Sequence, residues 1–147
     1  MTPQTRAEKA AEAMMANDNA SRDLGMKISQ IAPGSATLTM RVTDRMLNGH
    51  RICHGGYIFT LADSAFAFAC NSYNKLTVAQ QNQITYISPG KADELLTATA
   101  QETALSGRSG VYDVDVTGED GRMVATMRGL SRTIKGHLFA EDGENTP

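Results

Sequence analysis

The sequence has no large charge excess of either sign, no apolar run of membrane-spanning length and almost no cysteine, and each absence removes a class of function. Lys plus Arg number 14 against 16 Asp plus Glu, a formal net charge of -2. Both signs are scattered along the chain, so no basic field exists to hold nucleic acid or an anionic membrane. No window approaches the roughly 18 to 20 apolar residues of a membrane helix. The opening "MTPQTRAEKAAEAMMANDNAS" is charged and Ala-rich, with no apolar stretch of the secretory kind. Cys53 and Cys70 fall at the two ends of one predicted helix, and at about 1.5 Å per residue they are too far apart for a disulfide. A soluble, cytoplasmic protein with reduced thiols is expected, its cysteines acting as small buried hydrophobes. Neither CxxC nor HExxH occurs, so no metal is expected. Walker A and GxGxxG patterns are absent as well, which removes the usual grounds for ATP or a dinucleotide cofactor. There is no GxSxG elbow, and the three histidines, His50, His54 and His137, point to no catalytic triad.

What is present reads as one domain, because 147 residues suffice for one core and not comfortably for two. Ala7, Ala10, Ala11, Met14 and Met15 recur at helical spacing and predict an amphipathic helix over 5–17, within an N-terminal segment 1–20. "MKISQI" and "SATLTMRV" read as strands joined by an "APG" turn. In the second, Ala36, Leu38, Met40 and Val42 alternate with Thr37, Thr39 and Arg41, the period-two pattern of a half-buried strand. Residues 57–70 are apolar nearly all round and Ala-rich, which predicts a buried central helix. Four strands follow, "VAQQNQITYI", "ELLTATAQE", "VYDVDVTG" and "RMVATMRGLSRTI", with turns at "SPG", "LSGRSG" and "GEDG". The tail, 143–147, has no pattern and is expected to fray. The fold class is α+β, with one long helix on one face of an antiparallel sheet. The uncovered side of that sheet predicts a homo-oligomer.

Within "NGHRICHGGYIFTLADSAFAFACNSYN", Asp63 is the one carboxylate of a long apolar run. It follows Gly56 by seven residues and shares its helix face, with Phe59, Phe66 and Ala67 as neighbours. An acid on that stripe faces a cleft or pays for burial; apolar surroundings would raise its pKa toward values useful for proton exchange. Gly55 and Gly56, lacking side chains, admit a substrate to the helix's first N–H groups, where the dipole favours a developing oxyanion. A base and an oxyanion site together suit the addition of water to a carbonyl. Plainer readings stand beside these. Gly-Gly also makes a permissive entry turn, and a lone helical Asp also lies on solvated strips. His54 also serves as a helix cap, Asn48 as a turn residue before Gly49, and 80–83 as the polar face of a strand. Thr60 and Ser64 read as ordinary helix polar residues.

The segments "LGMKISQIAPGSATLTM", "MLNGHRICHGGYIFTLADSAFAFACNS" and "ITYISPGKADELLTATAQE" resemble the hotdog-fold acyl-CoA thioesterases, of the phenylacetate-degradation (PaaI) group. The resemblance runs from the N-terminal helix to about Ile134. Its most specific part is Asn48, His54, Gly55, Gly56 and Asp63 in their spacing. It implies a helix wrapped by an antiparallel sheet, sheets joined edge to edge into a dimer, and two dimers in a tetramer. It further implies an active site at the dimer interface, where Asp63 of one subunit works with Gly55 and Asn48 of the other. Asp63 would be general base or nucleophile and Gly55 the oxyanion donor, while Asn48 and His54 would orient the thioester or the water. One departure is visible: where some relatives have a water-positioning serine, this chain has Ala79, leaving the role empty or to Gln80, Gln81 or Asn82.

The expected reaction is hydrolysis of an acyl-CoA thioester, with (hydroxylated) phenylacetyl-CoA as the substrate the resemblance suggests. No cofactor is expected, since coenzyme A is part of the substrate. Gly56, Tyr57, Phe66 and Tyr73 are expected along the substrate groove. Arg108, Arg128 and Arg132 either meet the CoA phosphates or are solvated strand ends. Three alternatives remain: a thioesterase for aliphatic acyl-CoA, a hotdog dehydratase, which would normally have a Glu in the helix, and a non-catalytic acyl-CoA-binding module.

Overall fold

A computed structural model describes residues 1–141; the expectation of a frayed tail lies outside them. The chain runs through α1 (Pro3–Asn17), α2 (Asn19–Asp23), β1 (Lys27–Ala32), β2 (Ser35–Arg41), a 3-10 turn (Asp44–Met46), α3 (Gly55–Cys70), β3 (Thr77–Tyr86), β4 (Leu95–Ser106), β5 (Ser109–Thr117) and β6 (Met123–Thr133). The strands form one antiparallel sheet in the order β1-β2-β4-β5-β6-β3. α3 lies across one face of it and touches every strand. All six predicted strands and both predicted helices are present; α2 and the 3-10 turn are additions the apolar periodicity did not signal.

α3 forms because more than half of its residues are Ala, Phe, Leu or Ile, with no interior proline. Leu61, Phe66 and Phe68 are fully buried, each contributing about 1.5–3 kcal/mol of apolar burial. The helix stops at Asn71, whose side chain donates to Ala67 O and Thr77 O (both 2.9 Å) and accepts from Thr77 N (3.0 Å). One amide thus ends the helix and starts β3. Opposite α3, the predicted alternation holds: Ala36, Leu38 and Met40 on β2, Leu96, Ala98 and Ala100 on β4, and Tyr112, Val114 and Val116 on β5 face the helix and are buried.

The outer face of the sheet is open, as the expectation of a homo-oligomer had it, but it is mostly polar. It is lined mainly by Thr37, Thr39, Thr97 and Thr99, together with the Asp113–Arg128 pair, with Leu95, Val111 and Leu130 half-buried among them. The exposed apolar surface lies elsewhere, along the edge strand: Val78 is 46% exposed, Tyr86 49%, and Ile87, which follows it, 57%. β3 has no neighbour on its free side and carries no Lys or Pro to block one, the condition under which a strand edge recruits a second chain. The reason to expect an oligomer moves from the sheet's face to its edge.

A second finding concerns alternation within β3. A bulge lies between Ala79 and Gln81, so Ala79 pairs with Ser131 but Gln81 pairs with Leu130. Downstream of it Asn82, Ile84 and Tyr86 pair with Gly129, Met127 and Ala125, the buried, helix-facing positions of β6. The extra residue flips the parity of the strand and turns Asn82 toward α3.

Candidate active site

α3 is buried on all sides but one. Gly56 is exposed and Thr60, Asp63 and Ala67 are half-buried, spaced by four, three and four residues. That spacing is one stripe of a helix, and Asp63 is its only charge. Asn82 Nδ2 donates to Asp63 Oδ1 at 2.7 Å, whereas Oδ2 has no partner among the described residues. Burial pushes the Asp63 carboxyl above the usual range; the Asn82 N–H pulls it back, and the Asp18 carboxylate adds a further upward push.

Asp18 is held near by a short relay that the sequence did not announce. It caps α2, accepting from Ser21 N at 2.9 Å and from Ser21 Oγ at 2.6 Å. Ser21 Oγ in turn meets Ser64 Oγ at 2.8 Å. Ser64, read as an ordinary helix polar residue, is therefore a buried anchor between α2 and α3, next in sequence to Asp63.

At the other end of the stripe, His54 is the N-cap of α3, its Nδ1 accepting from Gly56 N at 2.9 Å. The capping alternative for His54 holds, and it fixes the tautomer: a neutral ring that accepts at Nδ1 carries its proton on Nε2. Gly56 N–H is thereby consumed and is not an open oxyanion donor. Gly55 N–H is left without a partner among the described residues, at the positive end of the helix dipole. Asn48 is a turn residue, as its plainer reading had it, with Oδ1 accepting from His50 N at 2.9 Å and from Ile52 N at 3.4 Å. Its amide nitrogen makes no hydrogen bond among the described residues.

Tyr86 is the residue sequence reasoning missed. Its hydroxyl donates to Gly55 O at 2.9 Å, and its ring lies 3.0–3.3 Å from where a Cβ on Gly55 would sit. The "TYISPG" segment was used for family resemblance and not for chemistry; only the sheet crossing brings it under the glycines. Replacing Tyr86 with Phe keeps the ring and deletes one hydrogen bond, so turnover should fall about two- to tenfold with no loss of melting temperature, checked by steady-state kinetics and thermal unfolding.

Other expected groove residues are displaced. Phe66 is fully buried, its ring against Gly129 and edge-on to Tyr112 at 5.5 Å, so it is a core residue and not a groove wall. It points inward because it sits three positions beyond Asp63 toward the sheet. Arg128 is committed to Asp113 through two hydrogen bonds of 2.8 and 2.9 Å on the outer face. Arg108, at the tip of the β4–β5 hairpin, lines a cavity of about 510 Å³ with Tyr73, Lys75 and Tyr112 at the C-terminal end of α3. Neither Arg108 nor Lys75 has an ion-pair partner among the described residues. Tyr73 donates to Glu102 Oε1 at 2.8 Å. Tyr57 is half-buried and edge-on to His54 at 6.3 Å. Cys53 and Cys70 are buried and unpaired, their thiols pushed up to about 11 and about 12 by desolvation, which leaves them inert. Among the described residues no three His, Cys, Asp or Glu side chains cluster as a metal site.

Among the described residues no helix is long and apolar enough to cross a membrane. Residues 50–125 match the Thioesterase superfamily. The chain is 43% identical over 136 residues to the acyl-coenzyme A thioesterase PaaI of Escherichia coli, covering 92% of this chain and 97% of the relative. The structure of the E. coli PaaI protein, from the phenylacetic acid degradation operon, superposes with a TM-score of 0.91 over 92% of this chain and 99% of the other, at 43% identity. A hypothetical thioesterase from Streptococcus pneumoniae, solved with coenzyme A, superposes at 0.73 with 27% identity, over 80% and 99% of the two chains. With the helix-on-sheet architecture and the Asp63 stripe already in place, these likenesses make the chain a hotdog-fold member of the thioesterase superfamily, related to PaaI, and an enzyme of thioester hydrolysis.

Proposed function

We propose that this chain hydrolyses aromatic acyl-CoA thioesters, of the (hydroxylated) phenylacetyl-CoA kind, to the free acid and CoA, at a site shared by two copies of the chain. The observation that carries the reading is Asp63: a half-buried carboxylate on the one open stripe of α3, one oxygen held and the other unoccupied by protein. The Gly55 N–H polarises the thioester carbonyl, and Asp63 either activates water or attacks directly. CoA then leaves as the thiolate. The scheme requires no metal and no cofactor beyond the CoA of the substrate.

Helix geometry supports a two-chain site. Asp63 follows Gly55 by eight residues, about 12 Å along the helix axis, too far for both to act on one carbonyl. Two antiparallel copies of α3 would place Asp63 of each beside Gly55 of the other, and the free edge of β3 with its exposed Val78, Tyr86 and Ile87 gives them a seam. Pairing of two such dimers into a tetramer agrees with the fold's usual assembly. Arg108, Arg132 and Lys75, none of them ion-paired among the described residues, are candidates for the CoA phosphates, whereas Arg128 is held by Asp113. Two unpaired buried thiols suit a cytoplasmic setting.

The test is release of free thiol from a panel of acyl-CoAs, aromatic beside short and long aliphatic. Turnover selective for phenylacetyl-type thioesters is the expected result. Selective turnover of aliphatic chains would keep the chemistry and replace the substrate. Saturable CoA-ester binding without thiol release would leave a binding module.

A further inference from the structure

We propose that Asn82 is the positioning residue of this site, holding Asp63 by one oxygen so that the other, Oδ2, meets the substrate carbonyl or the attacking water. The proposal rests on the acyl-CoA hydrolysis reading. Three observations carry it, all involving β3.

The first is reach. Asn82 and Tyr86 lie on one face of β3, four residues or about 13 Å apart. Their partners on α3, Asp63 and Gly55, are eight residues or about 12 Å apart. Strand and helix run in opposite directions with matched rise, so one strand contacts the carboxylate and the oxyanion turn together. A displacement at either contact is felt at the other.

The second is the bulge between Ala79 and Gln81. Uninterrupted alternation from Ala79 would bring Gln81 and Gln83 to the helix side. The extra residue substitutes Asn82, a shorter amide, at the level of Asp63, and bulges commonly re-aim a side chain in this way next to active sites. Ala79 itself has only a methyl group and can orient nothing, so Asn82 takes up, three residues on, the role that position leaves open.

The third is a cost the fold does not need. Asn82 Oδ1 is buried and accepts no hydrogen bond from the described residues. A buried acceptor without a donor destabilises a protein, and an aliphatic side chain of the same shape would remove that penalty. Packing alone therefore favours Leu here. What Leu cannot supply is the N–H to Asp63.

Asp63 is faced by few other titratable groups: the Asp18 carboxylate from the α1–α2 junction, and the Cys70 thiol two turns along α3. Burial and the Asp18 charge disfavour its ionised form and Asn82 opposes them; the Cys70 thiol, itself pushed up to about 12, is neutral and adds no charge. Deleting the Asn82 amide should therefore raise the pH at which Asp63 becomes available as base or nucleophile.

The experiment compares wild type with Asn82→Leu in the full-length oligomer, measuring kcat and KM across pH together with thermal unfolding. The expected result is kcat lower by about tenfold to a hundredfold, KM within about twofold, an acid limb moved to higher pH, and a melting temperature unchanged or raised at acid pH, where Asp63 is protonated in both proteins. Unchanged kcat with an unmoved acid limb overturns the proposal, and so does a loss of kcat matched by a loss of melting temperature at that acid pH, which marks a structural residue. Should wild type turn over no acyl-CoA, the hydrolysis reading fails separately. A carboxyl-carbon NMR titration of Asp63 then decides the contact: an upward shift in Asn82→Leu sustains it, and an identical titration in both proteins overturns it.

Discussion

Asp63→Asn should abolish thiol release, lowering kcat by about a hundredfold or more, and at neutral pH should leave the protein more stable than wild type by about 0.5–2 kcal/mol. The loss follows because a neutral amide neither accepts the proton of water nor attacks a thioester. The gain follows from burial: the folded-state pKa of Asp63 is raised above its unfolded value, so its contribution to stability is fully present at acid pH and is lost as pH rises through the folded pKa. At neutral pH the ionised carboxylate is a net liability. Asn cannot ionise, and its side-chain oxygen still accepts from Asn82 Nδ2. The stability difference between variant and wild type should accordingly shrink as pH is lowered through the titration of Asp63. Unfolding curves at several pH values, beside thiol-release assays on the same samples, separate the two effects. Equal stability at all pH would mean that Asp63 is solvated and that burial does not set its chemistry.

Arg122→Ala should cost about 3–5 kcal/mol of stability at neutral pH, the largest loss expected from any side chain outside the apolar core. Glu94 is 8% exposed and sits where β4 begins. Arg122 binds both its carboxylate oxygens and also donates to Pro89 O at 2.7 Å and to Asp120 Oδ1 at 2.8 Å. Lys91 N at 2.7 Å and Glu119 N at 3.4 Å also donate to Glu94. The guanidinium thereby ties the "SPG" turn to the β5–β6 connection. Gly90, in that turn, accepts from Cys53 N at 2.8 Å, so the same cluster supports the chain entering α3 just before Gly55. Removing Arg122 strands a buried carboxylate. The pH dependence has a definite sign: Arg122 holds the Glu94 carboxyl below the usual glutamate range, so the pair stabilises the fold above that range and the benefit disappears as pH falls through the lowered value. The penalty in the variant should therefore be largest at neutral pH and should narrow below about pH 4, as measured by urea unfolding. A penalty under about 1 kcal/mol at neutral pH would place the pair among solvated surface bridges.

The α+β class, the six strands, the central helix and the place of Asp63 on it were legible in the sequence because each is a matter of local periodicity or composition. Alternation of Ala36, Leu38 and Met40 marks a half-buried strand wherever it occurs, and fourteen largely apolar residues containing one carboxylate mark a buried helix with an exception worth explaining. The Asn48–Gly55–Gly56–Asp63 spacing identified the family for the same reason, since its members lie close together along the chain. Four features were decided only in three dimensions. Asn82 reached Asp63 because a bulge shifted strand parity by one residue, and nothing in "VAQQNQITY" announces which residue is extra. Tyr86 reached Gly55 because β3 crosses to the far edge of the sheet and runs back along α3. Phe66 turned inward and Arg128 sideways because their faces are fixed by the elements they oppose, Gly129 on β6 and Asp113 on β5. Periodicity along the chain determined which residues could be buried and where the lone carboxylate of the central helix would lie. Which residues it met depended on strand register and crossover, and these are settled by the packing of segments far apart in sequence.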